Sequence, residues 1–147
     1  MLNILIKTFS ELTTQELYGL LQLRSEVFVV EQDCVYQDID GKDQIALHVL
    51  GFADDQLVAY TRVFKPEAYF KDASIGRVVV KKEARLFKHG YSIMEASIKA
   101  IATYYNETTI KISAQTYLNT FYTNLGFKAI GEEYLEDDIP HIAMVKN

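Results

Sequence analysis

The first 28 residues of the chain have apolar and polar positions at spacings that predict a strand followed by a helix. Residues 2–7 alternate with a period of two, as a half-buried strand does. Thr13 and Glu16 have the spacing of a capping box, and apolar residues then recur at helical intervals, which predicts a helix from about Thr14 to Phe28. The next segment, Val29–Lys42, combines acids with a glycine and predicts a loop.

Two apolar runs in the middle of the chain predict a β-hairpin. Ile45–Ala53 and Leu57–Phe64 have the composition of strands, and Asp54 and Asp55 between them suit a tight turn. The remaining predicted elements are, in chain order, a strand over Ile75–Val80, a helix after Gly90, a strand over Thr108–Ser113, a short helix over Thr116–Asn124, and an antiparallel pair over Phe127–Tyr134 and His141–Val145. This order predicts a mixed α and β fold with one central sheet.

Length and composition predict one soluble domain. A chain of 147 residues that is 49% hydrophobic and 24% charged has the make-up of a globular protein. Two prolines and seven glycines leave no linker, so we expect one domain over residues 1–147. No apolar run approaches the roughly 20 residues that cross a bilayer, and the alternating start differs from a signal peptide. We therefore expect a cytoplasmic protein with no membrane partner.

Charge, cysteine and histidine usage exclude several classes of function. The net charge of -5 argues against non-specific nucleic-acid binding, which needs clustered lysines and arginines. Cys34 is the one cysteine, so an intrachain disulfide and a multi-thiolate metal site are excluded. His48, His89 and His141 lie too far apart for a local ligand motif, and we expect no metal.

Carboxylates concentrate in two segments of the chain. The first segment holds Glu31, Asp33, Asp38, Asp40 and Asp43, and the second holds Glu132, Glu133, Glu136, Asp137 and Asp138. Such a concentration of charge would raise the local concentration of a cationic ligand. The same acids are equally well explained as solvated loops, and both interpretations stay open.

The most informative local pattern is the passage Val78–Glu95, with the sequence VVVKKEARLFKHGYSIME. An apolar strand runs into a basic turn with a single glycine and then into a helix. Backbone N–H groups at such a turn point outward together with the positive end of the helix dipole, which suits a pyrophosphate. The pattern favours a nucleotide-bearing cofactor, and an ordinary strand-to-helix connection is the alternative.

Two motifs, one at Arg85–Gly90 and a later one at Tyr122–Phe127, resemble those of the GNAT-fold N-acetyltransferases, which use acetyl-coenzyme A. Arg85–Gly90 matches the family turn R-x-x-G-x-G/A, except that Lys88 replaces the first glycine. If that position needs a positive φ, lysine costs about 1 kcal/mol, although its ammonium suits a neighbouring phosphate. Tyr122–Phe127 matches the family signature Y-x-x-L-G-F. Further segments resemble the ElaA-type subgroup of GNAT proteins, namely Arg24–Gln32, Asp38–Asp43, His48 and Glu136–His141.

The resemblance implies an α+β fold, a single GNAT-like domain whose central, mostly antiparallel sheet of six or seven strands is flanked by helices. It also implies that the backbone amides of Val78–Val80 hold the pantetheine arm of acetyl-coenzyme A and polarise the acetyl carbonyl. By the same resemblance, Tyr122 protonates the departing thiolate and Gln115 contacts the cofactor arm. The predicted cofactor-binding residues are Val78, Val79, Val80, Arg85, Leu86, Phe87, Lys88, His89, Gly90, Tyr91, Ser92, Gln115, Asn119 and Tyr122.

Acetyl transfer to an amine also needs a group that accepts a proton, and three residues are candidates. Glu31 is one, although it could instead bind a cationic substrate. His48 lies in an apolar strand, where a hydrogen-bonded core histidine is equally expected. His141 is the third, although it could simply anchor the acidic turn. Direct attack by the amine is favoured over an acetyl-cysteine at Cys34.

We therefore expect an N-acetyltransferase that moves an acetyl group to a primary amine. The expected acceptor is a cationic small molecule, or the lysine or N-terminal amine of a peptide. The alternative is a non-catalytic coenzyme A-binding or protein-interaction module on the same fold. Lys88 favours that alternative, whereas Tyr122 opposes it. The sequence does not decide between a monomer and a homodimer.

Overall fold

A computed structural model describes residues 1–147 and arranges seven strands in one sheet. The strands are β1 (Asn3–Thr8), β2 (Leu47–Ala53), β3 (Gln56–Phe64), β4 (Ala73–Val80), β5 (Ile110–Gln115), β6 (Lys128–Glu136) and β7 (Ile139–Lys146). The helices are α1 (Thr14–Arg24), α2 (His89–Tyr105) and α3 (Asn119–Asn124). The predicted α+β fold with a mostly antiparallel sheet is confirmed. No helix is both long and apolar enough to cross a bilayer.

Strands β4 and β5 begin side by side and then part. The sheet order is β1-β2-β3-β4-β5-β7-β6, and β4 and β5 are its one parallel pair of neighbours. Their ladder contains only two pairs, Ala73 with Ile110 and Ser74 with Lys111. Because the rest of β4 has no partner on this side, its backbone groups face the gap between the two strands.

A β-bulge lies in β4 just before the apolar end of the strand. Tyr60 pairs with Val79 and Arg62 pairs with Gly76. Between these two pairs β4 therefore advances by three residues while β3 advances by two. The extra residue falls at Arg77, whose φ of 47° is in the left-handed region that a non-glycine residue rarely adopts. The bulge re-aims the strand at the point where it leaves β5.

The first helix is longer than its sequence pattern predicts and changes its type. Its predicted capping box is confirmed, because the Glu16 N–H donates to Thr13 Oγ1 at 3.0 Å and the Thr13 N–H donates to Glu16 Oε1 at 2.8 Å. After α1 the chain continues as a π-helix over Ser25–Glu31, so the predicted loop begins three residues late, after Glu31. A π turn uses the same residue types as an α turn, and the apolar spacing therefore gave no sign of it.

The predicted hairpin is confirmed. β2 and β3 pair in antiparallel fashion up to Ala53 and Gln56. Asp54 and Asp55 between them have φ values of 50° and 64°. Two consecutive positive values are the geometry of a two-residue hairpin turn, which aspartate tolerates better than most residues.

The core consists of two clusters, one on each face of the sheet. Val49 and Leu50 are adjacent in β2 and therefore point to opposite faces. Val49 belongs to a cluster with Ile93 and Met94 of α2, whereas Leu50 belongs to a cluster with Leu20 of α1. The sheet is thus covered by α1 on one face and by α2 on the other, and its open end lies where β4 and β5 part.

Candidate active site

The gap between β4 and β5 opens into a cavity of about 530 Å³. Its walls are the last six residues of β4, the end of β5, the π-helix, the turn before α2, and the chain around α3. The predicted site residues that line it are Glu31, Val78, Val79, Val80, Arg85, Lys88, Gly90, Tyr91, Gln115, Tyr122 and His141. Segments far apart in the sequence therefore meet at one place.

Six predicted site residues lie outside the cavity. They are His48, Leu86, Phe87, His89, Ser92 and Asn119. Leu86 and Phe87 point to solvent and are 91% and 67% exposed, whereas the side chain of His89 is buried. The turn after β4 is a short 3-10 helix over Lys82–Phe87, and this tighter helix turns Leu86 and Phe87 outward.

Lys88, which stands where the resembled motif has glycine, has a left-handed backbone conformation. Its φ is 58° and its ψ is 26°, in the left-handed region, between the 3-10 helix and the first residue of α2. Two residues later, a side-chain carbon on Gly90 would lie 3.2 Å from Cε1 of Phe121, so the close approach of α2 to α3 requires glycine there. The first helical bond of α2 runs from the Ser92 N–H to the Lys88 carbonyl at 3.4 Å. The amides that precede it are free to bind an anion.

Arg85 and Glu31, which both line the cavity, form a bidentate ion pair. Arg85 Nη1 and Nη2 donate to the Glu31 carboxylate at 2.5 and 2.8 Å, and Arg85 Nε donates to the Val80 carbonyl at 3.1 Å. The hydrogen bonds from Arg85 hold the pKa of Glu31 below its ordinary value. Glu31 therefore stays ionised near neutral pH and is a poor acceptor of a proton.

Tyr122 presents a neutral phenol to the cavity. Its ring packs edge-on against Phe121 and Phe127, with centroid separations of 5.0 and 6.1 Å. Burial raises the pKa of the phenol well above its ordinary value. The group is therefore protonated over the whole range of physiological pH and can donate a proton or a hydrogen bond.

His141 has a defined tautomer on the opposite wall. Its Nδ1 lies 2.7 Å from the Ile139 carbonyl, and since a carbonyl only accepts, Nδ1 carries the proton. In the neutral ring Nε2 then has a free lone pair, 3.5 Å from Glu136 Oε2. Ser113 hydrogen-bonds Tyr134 and donates to Glu136 at 3.2 Å, which completes this wall. An imidazole held in this way can accept a proton at Nε2.

His48 is a core residue, and the structure does not support a catalytic role for it. Its Nε2 lies 2.9 Å from the Asp43 carbonyl and its Nδ1 lies 2.6 Å from the Tyr60 hydroxyl. The carbonyl requires a proton on Nε2, so Nδ1 accepts from Tyr60 and both ring nitrogens are satisfied. Burial lowers the pKa of His48 and keeps it neutral. These contacts and the full burial of the ring are those of a hydrogen-bonded core histidine.

The first acidic segment forms buried ion pairs, so the predicted field of free carboxylates is wrong there. Asp38, Asp40 and Asp43 contact three arginines of α1, β3 and β4. The pairs are Arg24 with Asp38 (2.8 Å) and Asp43 (2.7 Å), Arg62 with Asp40 (2.8 Å) and Asp43 (3.0 Å), and Arg77 with Asp38 (2.8 Å). The solvated-loop interpretation also fails for Asp38 and Asp43, which are buried. The arginines come from distant parts of the chain, and the local acidic pattern gave no sign of them.

Sequence reasoning missed several residues of the cavity wall. Arg77 and Ser113 line the cavity, as does Gln32, which shares hydrogen bonds of 3.4 Å with Gln115. Arg77 was the one with a visible signal, since it is a charged residue inside an otherwise apolar strand. Nothing in the local sequence distinguished the other two.

The chain is similar to proteins of known family. A profile described as "Acetyltransferase (GNAT) domain" matches residues 9–147. Protein ElaA of Escherichia coli strain K12 is 42% identical over 139 residues, which cover 93% of this chain and 91% of that protein. A crystal structure of an acyl-CoA N-acyltransferase from Pseudomonas aeruginosa is 43% identical and superposes with a TM-score of 0.92, and each chain is covered completely. The crystal structure of E. coli ElaA is 40% identical, with the same TM-score and complete coverage of both chains.

Proposed function

This chain belongs to the GNAT acetyltransferase family, and from that premise we propose that it transfers an acetyl group from acetyl-coenzyme A to a primary amine. The coarser activity, transfer of an acyl group from coenzyme A, follows from the family and from the Pseudomonas relative. The observation that carries the proposal is the cavity where β4 leaves β5, which combines a free strand edge, a helix N-terminus and a neutral tyrosine. The proposal treats residues 1–147 as one domain, as the sequence predicts.

The residues at the turn before α2 fit a pyrophosphate. Lys88 in the left-handed conformation and Gly90 against Phe121 leave the first amides of α2 uncovered. Arg85 and Lys88 add positive charge beside these amides. A diphosphate ester is bound by N–H groups and cations in this arrangement, which supports coenzyme A as the donor.

The free edge of β4 at Val78–Val80 suits an extended pantetheine arm. The amide groups of the pantetheine arm need hydrogen-bond partners, and the free edge of β4 can supply them in the way that it would pair with an added strand. Backbone N–H groups on the same edge would polarise the acyl carbonyl and stabilise the negative charge that develops on its oxygen. The coenzyme supplies the activated thioester, and the protein supplies donors at the reacting carbonyl.

We assign proton transfer to two residues on different walls of the cavity. Tyr122 is neutral and suits the acid that protonates the departing thiolate. His141 suits the base, since its Nε2 lone pair is available while Nδ1–H is held by the Ile139 carbonyl. Glu31 is less suited to that role because its pair with Arg85 favours the ionised form.

Negative charge on the wall of the cavity near His141 supports a cationic amine as the acceptor. Fewer carboxylates contribute to this charge than the sequence implied. Glu136 and Asp137 line the cavity, and no cation of a lysine or arginine pairs with either of them. These carboxylates would attract the ammonium form of an amine to the mouth of the cavity. His141 beside Glu136 would then receive the proton that the amine must lose.

A non-catalytic coenzyme-binding module is the other function considered, and no feature of the site favours it. Its support in the sequence was the lysine in place of the family glycine. Lys88 adopts the left-handed conformation that a glycine would adopt, so the shape of the turn is retained.

The test is calorimetric titration with coenzyme A, combined with a thiol-release assay over a panel of amines. We expect coenzyme A to bind and thiol release to be fastest with cationic primary amines. Binding without thiol release from any amine would favour the module. No binding of coenzyme A would overturn the proposal altogether.

A further inference from the structure

Arg77 has a backbone conformation that its own side chain does not favour. It lies in β4 with φ of 47°, at the bulge that precedes Val78–Val80. Glycine would adopt this conformation without a steric penalty, whereas a residue with a Cβ does so only when its surroundings enforce it. The structure must therefore contain contacts that hold Arg77 in place.

Those contacts come from the loop between the π-helix and β2. Arg77 Nε donates to Asp38 Oδ1 at 2.8 Å, and Arg77 Nη2 donates to the Asp38 carbonyl at 2.9 Å. The ring of Tyr36 lies beside the guanidinium, 5.9 Å from its central carbon. A guanidinium that donates to two acceptors of one residue has little freedom, and Arg77 is therefore fixed in direction as well as in position.

Asp38 is itself fixed by a second arginine. Arg24 at the end of α1 is fully buried, and its Nε donates to Asp38 Oδ2 at 2.8 Å. The Tyr36 hydroxyl donates to Asp38 Oδ1 at 3.2 Å. The carboxylate thus connects α1 to the bulge of β4 through three side chains. Arg24 and Asp38 are buried, whereas Tyr36 and Arg77 are half-buried at the cavity wall, and the shared hydrogen bonds restrict the geometry of all four side chains.

We infer that Asp38 is a positioning residue, which acts through Arg77 to hold the bulge of β4 and so to set where the free edge at Val78–Val80 lies in the cavity. This inference rests on the proposed function, because the edge matters only if it binds the acyl donor. Misplacement of catalytic donors by a small distance lowers the rate of the chemical step more than the stability of the fold. Loss of the Asp38–Arg77 contact should therefore lower turnover and donor affinity, and it should leave the binding of the amine largely intact.

Three substitutions at Arg77 separate the backbone from the side chain. Arg77→Lys retains the charge but loses the two guanidinium donors. Arg77→Gly permits the positive φ but removes the anchor, and Arg77→Ala removes the anchor and retains a Cβ. The matched control is Lys7→Ala in β1, which breaks an ion pair of similar burial with Glu16 of α1, outside the cavity.

The readouts are the dissociation constant for coenzyme A, kcat, KM for the amine, and hydrogen exchange of the amides in residues 74–80. We expect Arg77→Ala to lower kcat by about tenfold to a hundredfold and to speed exchange in that segment, with partial recovery in Arg77→Lys. The KM for the amine should change little, and Lys7→Ala should match the wild type in all four readouts. Should Arg77→Ala fail to fold, Arg77→Gly and Arg77→Lys are compared in its place.

Two results would overturn the inference while the proposed function stands. In the first, folded Arg77 variants have the kcat and the hydrogen exchange of the wild type and differ only in a lower melting temperature. That result would indicate a purely structural role. The other is a raised KM for the amine with unchanged kcat, which is direct contact of Arg77 with the acceptor. If the wild-type protein binds no coenzyme A, the proposed function fails and this inference fails with it.

Discussion

At the scale of single residues, the cavity contains groups whose protonation states are set by their neighbours. Tyr122 is kept neutral by burial and Glu31 is kept ionised by Arg85. His141 is held in one tautomer by a backbone carbonyl. Two predictions follow from these states, one for the acid and one for the base.

Tyr122→Phe removes the proposed acid and retains the ring that packs on Phe121 and Phe127. General acids contribute about a hundredfold or more, so we expect the single-turnover rate to fall by that factor with little change in affinity for coenzyme A. Rapid-quench kinetics measure the chemical step apart from product release. Tyr105→Phe, which removes a partly buried phenol oxygen outside the cavity, is the control. An unchanged single-turnover rate in Tyr122→Phe would remove this residue from the mechanism.

His141→Gln tests the base. The variant retains a polar side chain near Glu136 but has no group that takes up a proton, so the single-turnover rate should fall by about a hundredfold with little change in affinity for coenzyme A. Rapid-quench kinetics and calorimetric titration measure the two quantities. Glu31→Gln serves as the comparison, since we expect its single-turnover rate to fall much less. If Glu31→Gln loses the rate and His141→Gln retains it, the two assignments are reversed.

At the scale of secondary-structure elements, the turn between β4 and α2 combines the proposed binding of phosphate with an unfavourable backbone conformation at Lys88. The 3-10 helix ends at Phe87, and Lys88 then takes the left-handed conformation usual for a residue just past a helix end. Glycine is the residue that most often occupies such positions. The lysine therefore exchanges some stability of the fold for a positive charge beside the expected phosphates.

Lys88→Gly should separate those two effects. Relief of the left-handed backbone should raise the free energy of unfolding, by up to about 1 kcal/mol after the greater freedom of glycine in the unfolded chain is counted. Loss of the ammonium should weaken binding of coenzyme A. Urea unfolding and calorimetric titration measure the two quantities.

Lys82→Gly is the matched control, because Lys82 is an exposed lysine in the helical part of the same turn and does not line the cavity. The same loss of charge there should lower the free energy of unfolding, since glycine is unfavourable inside a helix. Changes of the same sign in both variants would contradict the assigned role of the left-handed backbone.

At the scale of the whole molecule, buried ion pairs tie α1, the loop that follows it and the central strands together. Burial by itself would raise the pKa of Asp40, but the hydrogen bonds and charge of Arg62 lower it to about 2. Burial likewise favours the neutral form of Asp43, and its bonds to Arg24 and Arg62 outweigh that effect and lower its pKa. These carboxylates and His48 connect the stability of the fold to pH.

We expect the protein to lose stability in acid in two steps. His48 has a lowered pKa in the folded state, so the unfolded chain takes up a proton first, and stability falls as the pH drops below about 6.5. The carboxylates add a second loss between about pH 4 and pH 2, because Asp40 and Asp43 have lowered pKa values in the folded state and the unfolded chain binds protons first. Both signs follow because unfolding binds protons in these ranges.

Urea unfolding from pH 2 to pH 8 measures both steps. His48→Gln should remove the first step and retain the second. Asp40→Asn should be less stable at neutral pH, since Arg62 loses an ionised partner, and it should have a shallower decline below pH 4. A wild-type stability that does not depend on pH over this range would contradict the paired states described here.

Local sequence was sufficient for several features that depend on neighbours along the chain. The hairpin at Asp54 and Asp55 and the capping box of α1 were predicted, because turn chemistry and apolar period are properties of short segments. The Tyr122–Phe127 motif and the turn at Lys88 were identified by their resemblance to the GNAT family, and that resemblance implied the α+β fold. The φ of Lys88, which the sequence left open, is 58°.

Tertiary structure alone decided which charges are free and which side chains share a wall. Asp38 pairs with Arg24, 14 residues before it, and with Arg77, 39 residues after it, and no local pattern encodes such pairs. The same holds for His48, which the acidic loop covers, and for β4 and β5, which part after two pairs. Coulomb energy and burial depend on distance in space, whereas a sequence pattern records distance along the chain, and so the carboxylates that looked free are paired in the folded protein.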